Sequence, residues 1–116
     1  MTRALVVCLL AIAALARAAD DDCLQYEPSV VELRGKLVAE GDDAFALVPD
    51  HPFCTHATAG NGMNPAVSGV KRVQLALSDG QKPSEKLLGM HVVARGSLFG
   101  ARGGILLIAE KVSAAP

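Results

Sequence analysis

Val31-Glu32-Leu33-Arg34-Gly35-Lys36-Leu37 alternates apolar and charged side chains, and that period of two belongs to a half-buried β-strand. Val31, Leu33, Gly35 and Leu37 fall on one face; Glu32, Arg34 and Lys36 fall on the other. A glycine in the middle of a long strand marks a bend or bulge, which lets one strand serve two sides of a small barrel. The strand is expected over residues 29–40, and Gly41-Asp42-Asp43 turns the chain into a second strand over 44–48 that pairs back on the first.

Working outward, Pro49, Asp50 and Pro52 end or bend the second strand, because proline cannot donate to a ladder. Residues 58–68, with Gly60-Asn61-Gly62 and Asn64-Pro65, read as a loop and as the most mobile segment. Alternation resumes over 70–78, with Val73, Leu75 and Leu77 inward and Arg72, Gln74 and Ala76 outward. Residues 83–89 suit a short helix stopped by Gly89. A fourth strand with Gly96 in its body spans 91–99, and a fifth spans 105–112. Five strands with one short helix between the third and fourth is the order of the OB-fold, a five-stranded Greek-key barrel. The fold expected is therefore an all-β OB-like barrel, with Gly35 and Gly96 as its corners; an open five-stranded sheet or sandwich is the alternative.

The N-terminus reads as an export signal: a charged start at Arg3, an apolar run over 4–16, and a small-residue end in Ala16-Arg17-Ala18. A bilayer span needs about 20 apolar residues. The run here is shorter and is followed by Asp20-Asp21-Asp22. Cleavage is expected after Ala18, leaving residues 19–116 as a single domain in the periplasm or outside the cell, with no membrane span. A lipoprotein reading at Cys8 fails on the bulky Val7 before it and the short apolar run.

Removal of the signal takes Cys8 away and leaves Cys23 and Cys54, which allow one intramolecular pairing. Closing a loop of about 30 residues contributes roughly 3 to 4 kcal/mol in the chain-entropy model. The alternative use of Cys54 is as a metal ligand beside His51 and His56, but no second Cys-His cluster follows at a zinc-like spacing.

The net charge is −1, falling to −3 when Arg3 and Arg17 leave with the signal, which excludes a strongly basic nucleic-acid binder. Single-stranded nucleic acid, a common OB-fold ligand, needs aromatic platforms, and only Phe45 and Phe99 stand where they would serve. No Gly-x-Ser-x-Gly elbow surrounds any serine, so no catalytic residue and no cofactor is assigned. Asp42-Asp43 reads as a solvated turn, and Gly100-Ala101-Arg102-Gly103-Gly104 reads as a hairpin turn rather than an anion nest.

Cations gather on the outward faces: Arg34 and Lys36 on the first strand, Lys71 and Arg72 on the third, Arg95 on the fourth. In an OB barrel strands one and four are neighbours, so Arg34, Lys36 and Arg95 form the candidate ligand face, suited to a small anionic ligand or an acidic envelope protein. The simpler role of such charges is solubility and edge protection.

Several segments, taken in order, resemble a family of secreted bacterial domains, domain of unknown function 4431. They are Cys23-Leu24-Gln25-Tyr26-Glu27-Pro28, the first-strand stretch from Val30 to Leu37, Pro52-Phe53-Cys54, Gly69-Val70-Lys71-Arg72-Val73-Gln74-Leu75-Ala76-Leu77, Leu87-Leu88-Gly89, and Ala94-Arg95-Gly96-Ser97-Leu98-Phe99-Gly100-Ala101. The resemblance implies export, paired cysteines and a barrel-like β fold, and brings no established activity. Relatives often carry histidines between the last two strands, where this chain has Gly100 to Gly104, and a longer first hairpin loop. The expected function is thus a non-catalytic binding or accessory module. The alternatives are a small metal-dependent enzyme or metal-binding factor using His51, His56 or His91, and a structural module of an envelope assembly.

Overall fold

The computed structural model describes residues 22–116; the expected export signal and the Cys8 readings lie outside these residues. Five strands form a closed barrel in the order β1-β2-β3-β5-β4. They are β1 (Val31–Ala39), β2 (Phe45–Pro49), β3 (Val73–Leu77), β4 (His91–Ala101) and β5 (Gly104–Ala114). All neighbours are antiparallel except β3 and β5, which run parallel with Gln74 beside Leu106 and Leu77 beside Ala109. This is the OB-like barrel that the strand order predicts.

β1 buries Val31, Leu33, Gly35 and Leu37 and exposes Glu32, Arg34 and Lys36, as its alternation dictates. Leu37, Leu47, Val73, Val92, Leu98 and Leu107 are fully buried and fill the barrel, so its interior is a packed core rather than a channel. Phe45 belongs to this core, which removes it as a platform for stacking bases. A Cβ placed on Gly35 would overlap the Val48 carbonyl, and one on Gly96 would overlap the Ile108 carbonyl. Both glycines therefore permit close backbone approach, and the register of β4 on β5 shifts at Arg95/Gly96, a bulge at the second corner.

The helix and the last two strands differ from expectation. The helix between β3 and β4 is a single 3-10 turn, Glu85–Leu87, in which the Ser84 side chain accepts from the Lys86 N–H. The interval between Pro83 and Gly89 leaves room for little more than one turn, and Leu87 and Leu88 pack against the core from it. β4 and β5 run longer than predicted and meet at Arg102-Gly103, because Gly100 and Ala101 pair with Ile105 and Gly104 in the ladder.

The long connection from β2 to β3 is stitched down by bridges outside the barrel ladder. Phe53 pairs with Val70, and Leu24 and Tyr26 of the N-terminal strap pair with Thr55 and Leu98. Cys23 and Cys54 are joined in a disulfide, with their Cα atoms 4.5 Å apart, and so lock the strap to this connection.

Candidate functional site

A groove of about 760 Å³ opens outside the barrel, between the 58–69 segment, the chain entering β3, and the β4–β5 hairpin. Its floor includes Tyr26, Val70 and Ile105, all buried members of the core cluster. Met63, Pro65 and Val67 form the wall from the long connection, and Met63 is 62% exposed. Lys71, Arg72 and Arg102 are its charged lining, small residues such as Gly62 and Ala101 fill the remainder, and the lining contains no Asp or Glu. Its size and its apolar surface with a few charged groups match the usual features of a small-ligand site.

Backbone bonding fixes this geometry. The parallel register of β3 on β5 brings the residues entering β3 alongside the start of β5, so Lys71 and Arg72 come close to Arg102 although about 30 residues separate them. The 58–69 segment is pinned by its own polar side chains rather than left free, contrary to its composition. Buried Asn64 accepts from the Gly100 N–H at 2.9 Å through Oδ1 and donates from Nδ2 to Thr58 Oγ1 at 3.2 Å. Gly100 has no room for a side chain, because a Cβ there would run into the Met63 carbonyl. At the floor, the Tyr26 hydroxyl donates to the Pro65 carbonyl at 2.8 Å, and Thr55 Oγ1 accepts from the Val67 N–H at 3.0 Å.

The cations differ in their engagement. Arg72 Nε lies 3.5 Å from Glu40 Oε2, a shielded oxygen that lacks a hydrogen-bond partner. That long contact leaves the guanidinium available to a better-placed anion. Neither Lys71 nor Arg102 forms an ion pair with a described residue.

The predicted ligand face lies elsewhere. β1 pairs with β4 so that Arg34 stands opposite Val93, Lys36 opposite His91, and Glu32 opposite Arg95. Arg34, Lys36 and Arg95 thus share an outward face as expected, but Arg95 Nε donates to Glu110 Oε1 at 3.1 Å. His91 Nε2 lies 2.7 and 2.9 Å from the two oxygens of Asp50. Glu110 and Asp50 thus engage Arg95 and His91, whereas Arg34 and Lys36 form no ion pair with a described residue, and none of the three cations lines the groove.

The histidines do not assemble a metal centre. His51 is exposed, His91 is engaged by Asp50, and Cys54 is held in the disulfide and so offers no thiolate. Among the described residues no three His, Cys, Asp or Glu side chains group so as to hold a metal ion. Asp43 of the expected solvated turn pairs with Lys82 at 2.5 Å. Among the described residues no helix is long and apolar enough to cross a membrane.

Fold and groove together define a small, disulfide-locked OB-like barrel with a cation-rimmed apolar cleft beside its packed core. Compared with known proteins, the chain matches no family model, no curated protein and no solved structure.

Proposed function

We propose that the chain is an exported, non-catalytic binding module of the periplasm or cell exterior, related to the secreted bacterial family it resembles, and that its groove receives an anionic ligand. The observation carrying this reading is the groove itself, where Lys71, Arg72 and Arg102 converge on one cleft without an acidic lining residue. A cleft with charge of one sign and apolar walls concentrates counter-ions of the other sign even on a molecule of negative net charge. Export is supported by the signal pattern and by the disulfide, which persists in oxidising compartments.

Intact mass spectrometry on protein recovered from the exporting cell, native and then denatured with and without reductant, tests these points together. The expected chain begins at Ala19, is lighter by one pair of hydrogens until reduced, and carries a small anion under native conditions. Arg102→Glu abolishes the adduct, whereas Arg34→Glu retains it. An uncleaved chain, free thiols, a retained divalent metal, or an adduct indifferent to Arg102→Glu would overturn the reading.

A further inference from the structure

Resting on that reading of the groove, we infer that its ligand is an amphipathic anion: a phosphate or carboxylate head on a single hydrocarbon tail, with the head at Lys71, Arg72 and Arg102 and the tail along the apolar floor and wall. The inference turns on what the rest of the groove can offer a ligand. Val70 and Ile105 present only carbon side chains, as do Pro65 and Val67, and Met63 adds a thioether that forms at most weak hydrogen bonds. The polar atoms beneath them are already committed. The Tyr26 hydroxyl donates to the Pro65 carbonyl, and the Thr55 hydroxyl oxygen accepts from the Val67 N–H.

A sugar or other polyhydroxyl ligand would find donors at Lys71, Arg72 and Arg102 and backbone at Gly62, but hydroxyls laid on the Met63, Pro65, Val67, Val70 and Ile105 side chains would have no side-chain partner, at a cost for each group taken out of water. A nucleobase would find Tyr26 as the sole aromatic ring in the lining, held 2% exposed. A bare inorganic anion would satisfy the cations and leave the apolar part of a 760 Å³ groove unused. A hydrocarbon tail matches it without any polar demand. Met63 suits the same task, since its unbranched, polarizable side chain adapts to irregular apolar surfaces. The charges fit the head, because two guanidinium groups and an ammonium supply donors for a multidentate phosphate or carboxylate.

The test is a titration of the disulfide-intact domain, followed by amide chemical shifts, with inorganic phosphate, n-octyl phosphate, n-decyl phosphate, n-dodecyl phosphate and dodecanoate below their micelle concentrations. Neutral octyl glucoside and vesicles of anionic phospholipid serve as comparators. The expected result is that the alkyl phosphates and dodecanoate perturb Met63, Val70, Arg102 and Ile105, with affinity rising about fivefold for each two carbons added, the gain of methylenes partly withdrawn from water. Lys71→Glu with Arg102→Glu weakens dodecyl phosphate by about tenfold or more, the effect of a lost charge-assisted contact. Met63→Asp, at an exposed position, flattens the chain-length dependence while the melting temperature stays near that of the parent.

Equal binding of inorganic phosphate and dodecyl phosphate at these residues would overturn the amphiphile and leave the anion reading standing. Octyl glucoside binding as tightly as octyl phosphate would overturn the charged head. Binding to vesicles with none to the monomers would overturn it in favour of a membrane surface. No perturbation of the groove by any probe would overturn both this inference and the anion reading beneath it.

Discussion

On the outward wall of β1 and β4, Arg95 is held by Glu110 and His91 by Asp50, while Arg34 and Lys36 form no ion pair with a described residue; at the groove Arg72 has a carboxylate at 3.5 Å, and Lys71 and Arg102 form no such pair. Both regions are rich in cations, and a count of charges along the strands favours the first. Strand pairing narrows that lead, because β5 supplies Glu110 to Arg95 on the β1–β4 wall and the β4–β5 hairpin supplies Arg102 to the groove. Cations that no described acid engages stand on both surfaces, so the concave apolar surface beside Lys71 and Arg102 is what makes the groove the candidate site and decides what kind of anion fits.

The largest effect that would sharpen this contrast comes from the disulfide. Replacing Cys23 and Cys54 by serine is expected to lower the unfolding free energy by about 3 to 4 kcal/mol, read as an earlier urea midpoint. The barrel ladder contains neither residue, so the β-sheet circular dichroism of the folded state should be kept. The strap that carries Tyr26 under the groove depends directly on the bond, so the groove rather than the β1–β4 wall should show altered amide shifts. A midpoint unchanged within error would mean that the Leu24 N–H and His56 N–H bonds hold the strap unaided.

A smaller change tests the groove wall alone. Asn64→Ala removes the acceptor of the Gly100 N–H and the donor to Thr58, and is expected to cost about 1 to 3 kcal/mol as a part-buried amide loses its partner. Arg34→Ala on the β1–β4 wall should fall within about 0.5 kcal/mol of the parent, as surface substitutions do. Equal losses in the two variants, measured by the same denaturant series, would erase the distinction between a built wall and a solvated face.

The barrel was legible in the sequence because its determinants are local. Alternation in Val31 to Leu37 and Val73 to Leu77 gave the faces, and Gly35 and Gly96 stood where backbones must approach closely. The cysteine pair followed from elimination once Cys8 was assigned to the signal. The groove was not legible, since its parts come from segments joined only by tertiary pairing. Lys71 and Arg72 could be seen as outward cations, but the parallel β3–β5 register brings Arg102 to them, and a residue string does not display that register. The wall was hidden for another reason: Gly60-Asn61-Gly62 and Asn64-Pro65 have loop composition whether the segment floats or is anchored. The difference is the burial of one amide, Asn64, against Gly100. Residues 83–89 show the converse error, where helix-compatible residues between Pro83 and Gly89 form only a single 3-10 turn, Glu85–Leu87.

The smallest expected effect concerns a cation that does have its partner. Lys82 donates to Asp43 in the β1–β2 turn, and that hydrogen bond, reinforced by the ammonium charge, holds the Asp43 carboxyl below its ordinary pKa. A carboxyl lowered in the folded state contributes stability that is fully present above its unfolded pKa and fades as pH falls through the folded value. Asp43 is fully exposed, so solvent screens the pair and the consequence is local. An acid titration followed by the Asp43 side-chain carboxyl shift should show a midpoint below that of Asp43 in Lys82→Ala, where the ordinary value returns. Added salt should draw the two midpoints together. Coincident midpoints at low salt would mean that Lys82 spends its time in solvent, a cation that no described acid engages, like Arg34 and Lys36, so that the concave apolar surface alone would set the groove cations apart.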